Sequence, residues 1–81
     1  MEQKEVYDRV AKVTAEVLNV DPAMIKPESN FVFDLGAEST QSVQLVAAFE
    51  EEFDIDMDSE DALAVETVGA AAKFIAKYVK A

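Results

Sequence analysis

Valine recurs at positions 6, 10, 13 and 17, at intervals of four, three and four residues, and that spacing lines one face of an α-helix. With Tyr7 and Leu18 beside them, these residues predict an amphipathic helix over about residues 3–18, ended by Asn19 through Pro22. The same period returns twice. Val43, Val46, Phe49 and Phe53, widened by Leu45 and Ala48, predict a helix from Ser39 to about Phe53, with Gln41, Gln44, Glu51 and Glu52 on its other face. Val68, Ala71, Ala72, Ile75 and Val79 predict a last helix that Thr67 can cap, with Lys73, Lys77 and Lys80 crowding the end that favours cations. Between these two, Ser59-Glu60-Asp61 followed by Ala62, Leu63 and Val65 reads as one or two turns of helix, capped by Asp58 or Ser59. The expectation is an all-α fold, a bundle of three long helices and one short one, with residues 1–81 forming a single domain.

The stretch from Val20 to Glu38 breaks the helical rhythm. Two prolines, Asn30, Asp34 and Gly36 exclude a long helix there, so a loop is expected, anchored by Ile25, Phe31 and Leu35. Loops of this length in small domains are usually functional or held by their own side chains. An apolar content of 51% supplies a modest core, and stability is expected to be marginal at this size.

Composition removes several kinds of chemistry. There is no cysteine, hence no disulfide and no thiolate nucleophile or metal ligand. There is no histidine, so a serine nucleophile would lack its usual base. Net charge is −10, and no Lys or Arg lies between Lys26 and Lys73, an interval that holds twelve of the seventeen acids. Such an anionic middle repels nucleic acid and anionic lipid and favours partners with basic patches. No apolar run reaches the length of a membrane span, and Met1-Glu2-Gln3-Lys4-Glu5 is charged where a signal peptide needs an apolar centre, so a cytoplasmic protein without membrane insertion is expected. Asp54, Asp56 and Asp58 imitate the first, third and fifth positions of a calcium loop. Ser59 and Val65 then stand where that loop needs its glycine and bidentate glutamate, so no metal ligands are assigned.

One serine is placed for modification rather than catalysis. Ser39 follows the glycine-containing run Asp34-Leu35-Gly36-Ala37-Glu38 and opens the second helix as its N-cap or in its first turn. Unpaired N–H groups and the positive dipole end at a helix start accommodate a phosphate, and Gly36 lets the loop turn to expose the hydroxyl. An ordinary capping role for Ser39 is compatible with this one.

The run resembles the signature of the acyl carrier proteins: Asp-Leu-Gly, a small residue, Asp, Ser, Leu, then a helix rich in acids. Glu38 stands for the Asp and Thr40 for the Leu. Phe31 before the loop, the apolar spacing of the second helix and Thr67-Val68 at the start of the last extend the resemblance to nearly the whole chain. It implies a non-catalytic, stand-alone carrier of bacterial type. Its Ser39 would be esterified with 4′-phosphopantetheine by a phosphopantetheinyl transferase, giving an arm whose thiol holds acyl groups as thioesters. It would act as a monomer serving acyl-transferring and synthase enzymes with basic patches, in fatty acid, lipid or polyketide biosynthesis. Asp34, Leu35, Gly36, Glu38, Thr40, Gln41, Gln44 and Glu51 would form the motif and the surface partners recognise. Leu45, Val46, Phe49, Met57, Leu63, Val65, Val68 and Ile75 are the candidates for a pocket that shelters the acyl chain.

Departures from the family pattern matter as much. Thr40, Gln41 and Gln44 partly neutralise the face where fatty-acid carriers place Leu and acids, which suggests a specialised carrier with a dedicated pathway. Phe33 stands where a polar or acidic residue is usual, either buried in the loop or exposed as an apolar contact. Two alternatives stay open: a carrier of aminoacyl or peptidyl groups, which Asp34-Leu35-Gly36-Ala37 disfavours, and an acidic helical adaptor without a prosthetic group.

Overall fold

Four helices form where the periodicity places them, except that the last ends at Ala76, short of Val79, which is half-buried beyond it. The computed structural model describes residues 2–79, with α1 at Gln3–Leu18, α2 at Ser39–Phe53, α3 at Ser59–Leu63 and α4 at Val68–Ala76. A single 3-10 turn at Pro22–Met24 interrupts the first loop, capped by Asp21, whose carboxylate accepts from the Ala23 N–H at 2.9 Å. Lys80 lies outside the described residues.

Each helix is bounded by chemistry visible in its neighbours. Asn19 closes α1 in the left-handed conformation (φ 56°), and its N–H and that of Val20 both reach the Ala15 carbonyl. Asp54 closes α2 in the same way (φ 54°), with Ile55 N–H bonded to the Glu50 carbonyl at 3.0 Å. Asp58 caps α3 by accepting from Glu60 and Asp61 N–H, and Thr67 caps α4 by accepting from Ala70 N–H at 3.2 Å.

α1 packs against both α2 and α4, and α3 leans on α2. The shared core joins Val6, Val10, Val13 and Leu18 of α1 to Leu45, Phe49 and Phe53 of α2 and to Val68, Ala71, Ala72 and Ile75 of α4. Ile25 and Phe31 are buried loop anchors as expected, while Leu35 is half-buried. Two expectations are corrected. Val43 is 58% exposed instead of facing inward, because the buried stripe of α2 centres on Leu45, Phe49 and Phe53 and Val43 lies about 120° round the axis from Phe49. Glu52 turns inward: its carboxylate accepts from Arg9 Nε at 2.7 Å and its carbonyl from Arg9 Nη2 at 2.7 Å. The same guanidinium lies 4.8 Å from the centre of the Phe53 ring, so Arg9 ties α1 to the end of α2.

The long loop is tied to the start of α4. Val68 N–H donates to the Ser29 carbonyl at 3.0 Å, Gly69 N–H to the Pro27 carbonyl at 2.8 Å and Phe31 N–H to the Glu66 carbonyl at 2.9 Å. Gly69 permits this approach, since a Cβ there would lie 2.9 Å from the Pro27 carbonyl oxygen.

Candidate functional site: an exposed serine beside an apolar cavity

The loop that delivers Ser39 is organised by Asn30. Its side-chain oxygen accepts from Val32 and Phe33 N–H, both at 2.9 Å, and its carbonyl accepts from Asp34 and Leu35 N–H at 3.0 Å. The Asp34 carboxylate returns the bond by accepting from Asn30 N–H at 2.7 Å. Asp34, expected to belong to the recognition motif, thus also closes its own turn. Gly36 follows at φ +73° with open space around the position of a Cβ, so glycine is needed there for backbone angle and not for room. Ala37 then dips into the core, its N–H bonded to the Phe31 carbonyl at 2.8 Å, and the chain re-emerges at Glu38 and Ser39.

Glu38 is the N-cap of α2, and Ser39 is the first helical residue. Gln41 steadies the start by accepting from Glu38 N–H on its side-chain oxygen at 3.0 Å. Ser39 is exposed. The other serines have different surroundings. Ser29 is buried and its hydroxyl oxygen accepts from Lys26 N–H at 3.0 Å, while Ser42 is half-buried on the cavity wall. Ser59 opens α3, but Asp58 already occupies the helix N–H groups there, and Asp56, Glu60 and Asp61 surround it with charge hostile to a phosphate. Ser39 therefore has what a phosphodiester needs: an exposed oxygen and the positive end of a fifteen-residue helix.

A cavity of about 330 Å³ opens between α2, α3, α4 and the loop. Seven of the eight residues expected to surround a pocket line it: Leu45, Val46, Phe49, Met57, Leu63, Val65 and Ile75. The eighth, Val68, is fully buried elsewhere in the core. Sequence reasoning missed Phe31, Ala71 and Phe74 as lining residues, although Phe74 precedes Ile75 on α4 and its spacing from Ala71 offered the signal. Ser39, Ser42 and Val46 follow at intervals of three and four, so the row that begins at the exposed serine runs along α2 to the cavity.

The expected recognition residues lie at the surface in most cases. Asp34, Gly36, Glu38, Thr40, Gln44 and Glu51 are exposed, and Leu35 and Gln41 are half-buried. The Glu50-Glu51-Glu52 run is not uniformly a docking face: Glu50 accepts from Met57 N–H at 2.8 Å and Glu52 holds Arg9, which leaves Glu51 as its exposed member. Phe33 is 88% exposed, so it is not buried in the loop. On α1, burial, aided by Glu28 and Asp8, raises the Tyr7 phenol above its ordinary value. Among the described residues no group of three or more His, Cys, Asp or Glu side chains is placed to hold a metal ion, and no helix is long and apolar enough to cross a membrane.

Comparison with known proteins gives the arrangement its context. The phosphopantetheine attachment site family matches residues 8–75. An acyl carrier protein of Picosynechococcus sp. is 45% identical over 74 residues, which cover 91% of each chain. An exposed serine at a helix start, an apolar cavity along the same helix and similarity spanning both agree: the chain belongs to the phosphopantetheine attachment site family, as an acyl carrier protein.

Proposed function

We propose that Ser39 is the attachment point and that the cavity along α2 receives the cargo. The observation that carries this reading is the combination, at Ser39 alone among the four serines, of an exposed residue and the first turn of a long helix. When attached, 4′-phosphopantetheine supplies a flexible arm ending in a thiol, on which acyl groups ride as thioesters. The chain's own part is to hold and present. Ser39 Oγ provides the bridging oxygen, and the first N–H groups of α2 offset the phosphate charge. Asn30, Asp34 and Gly36 fix the turn that keeps Ser39 outside, while Leu45, Phe49 and Ile75 offer an apolar lining that excludes water from a chain lying among them.

On this reading the protein is a non-catalytic monomer of one domain that works in the cytoplasm, presented to a phosphopantetheinyl transferase and to acyl-transferring and synthase enzymes of fatty acid, lipid or polyketide biosynthesis. Thr40, Gln41, Gln44 and Glu51 form the face partners meet, and its low charge near Ser39 supports a dedicated set of them. The test is intact mass and tryptic mapping after incubation with a phosphopantetheinyl transferase and coenzyme A. One arm is expected, on the peptide containing Ser39, and none on Ser39→Ala. Helical content should be nearly unchanged in that variant, because Glu38 and not Ser39 is the cap. An arm on Ser29, Ser42 or Ser59 would overturn the assignment.

A further inference from the structure

Phe33 is 88% exposed and Val32 is 53% exposed, two consecutive apolar side chains at the tip of the turn that precedes Ser39. Their place is fixed by the backbone. The N–H groups of both donate to the Asn30 side-chain oxygen at 2.9 Å, Gly36 N–H closes the turn on the Val32 carbonyl at 3.1 Å, and Phe31 beside them is buried. The turn thus holds an aromatic ring in water, where it adds nothing to the core and offers a large, rigid apolar contact of the kind enriched in protein interfaces.

The position of the ring and the charge around it narrow what covers it. Phe33 and Ser42 border the same cavity, and Ser42 is one turn along α2 from Ser39. The ring therefore flanks the first turn of α2 on the side of Ser42, away from Gln41, which lies about 160° round the helix from Ser39. Exposed Asp34, Glu38 and Glu66 belong to the same corner: the first two share the loop, and the Glu66 carbonyl accepts from Phe31 N–H at 2.9 Å. No Lys or Arg lies between Lys26 and Lys73 to offset them. A second copy of this chain would bring like charges together around the ring, and so would an anionic membrane. The complementary surface is an apolar pocket rimmed by Lys or Arg side chains, on an enzyme that serves this carrier.

Among those enzymes the one that attaches the arm has the tightest geometric demand. It must bring its reacting phosphate to Ser39 Oγ itself, whereas enzymes that act on the thiol work at the far end of the arm. We propose that Phe33, with Val32 beside it, is a docking anchor for the phosphopantetheinyl transferase, seated in an apolar pocket of that enzyme while basic side chains around the pocket meet Asp34 and Glu38. The proposal rests on the reading of Ser39 as the attachment point. Phe33 touches no reacting atom; it supplies binding that is equal before and during the chemical step, so its removal should act on KM and not on kcat.

The experiment takes a phosphopantetheinyl transferase that loads the wild-type chain, with saturating coenzyme A, and reads KM and kcat by intact mass for the wild type, Phe33→Ser and Phe33→Leu. All are assayed well below their thermal midpoints, so a loss of folding is not read as a loss of docking. Burial of a phenylalanine side chain predicts that Phe33→Ser raises KM about tenfold with kcat within about twofold, and that Phe33→Leu, still apolar, raises KM about threefold or less. A chain that cannot be loaded, Ser39→Ala, should inhibit loading of the wild type, and the double variant with Phe33→Ser should need about tenfold more protein to do so, which reads docking without chemistry. An equal KM for wild type and Phe33→Ser, or a loss confined to kcat, would overturn the anchor while leaving Ser39 as the attachment point. An arm mapped to another serine of the wild type would instead overturn that assignment. A dimer in sedimentation equilibrium that Phe33→Ser abolishes would show that a second copy covers the ring and would refute the proposal.

Discussion

Gly69→Ala is a substitution for which local and tertiary reasoning predict opposite signs. Gly69 is the second residue of α4, and helix propensity alone says that alanine should stabilise, by at most about 1 kcal/mol and less at a helix start. The structure says otherwise. The added Cβ would lie 2.9 Å from the Pro27 carbonyl oxygen and 3.2 Å from Pro27 Cβ, and that carbonyl is the one Gly69 N–H bonds at 2.8 Å. Relief requires moving backbone, either the loop at Pro27 or the first turn of α4, and the neighbouring bond from Val68 N–H to the Ser29 carbonyl resists both. Overpacking of this kind costs about 1–3 kcal/mol, so after the propensity gain a net destabilisation of about 1 kcal/mol is expected. For a domain of this size that lowers the thermal midpoint by roughly 4–8 °C. Circular dichroism melting of the two proteins decides it, with Ala70→Gly, at an exposed position of the same helix, as a control that reads propensity alone. A midpoint for Gly69→Ala equal to or above the wild type would refute the claim that the loop is locked to α4.

Three further outcomes are expected. Arg9→Met should cost about 1–2 kcal/mol in urea unfolding through loss of charge-assisted bonds to Glu52, while Glu52→Gln should cost less because its carbonyl still accepts from Arg9. Raising sodium chloride from a few millimolar to about 0.15 M, where the Debye length is roughly 8 Å, should raise the thermal midpoint by screening repulsion among the acids, and magnesium chloride should act at lower concentration; a flat or falling midpoint with both salts would exclude repulsion as the limiting factor. Gln44→Glu combined with Gln41→Glu, which keeps a residue able to accept from Glu38 N–H, should increase turnover by a ketosynthase of ordinary fatty acid synthesis at low salt, and unchanged turnover would show that charge at these positions does not select partners.

Helix positions were legible because each is a local property. The valine repeat marks α1 to the residue, Asn19 ends it, and Asp58 and Thr67 cap the last two helices as their side chains suggest. Ser39 stood out for the same reason, a loop motif followed by a helix start. What escaped depends on contacts across the chain. Arg9 meets Glu52 from 43 residues away, so nothing in the Glu50-Glu51-Glu52 run reveals that one member is tied to α1 and another to Met57. Val43 carries the right residue type at nearly the right phase, and only the direction from which α1 covers α2 decides that Leu45 is buried in its place. Asn30 looked like a generic turn residue, although its side chain sets the position of Phe33, and Gly69 gave no sign that another backbone would lie against it.

The walls of the cavity are unequally anchored. α2 and α4 are each backed by α1, and the loop from Pro27 to Phe31 is bonded to the start of α4. The five-residue α3 contributes no buried residue and leans on α2 alone among the helices it meets most closely. Swelling to admit a longer chain therefore costs least on the side of α3, and amide exchange there should be fast while the middles of α1 and α2 stay protected. If the cavity holds the cargo, a loosely anchored wall of this kind would let it enter and leave without global unfolding. The rate at which a bound chain surrenders itself to an enzyme would then be set by the opening of a single helical turn or two, not by the stability of the bundle.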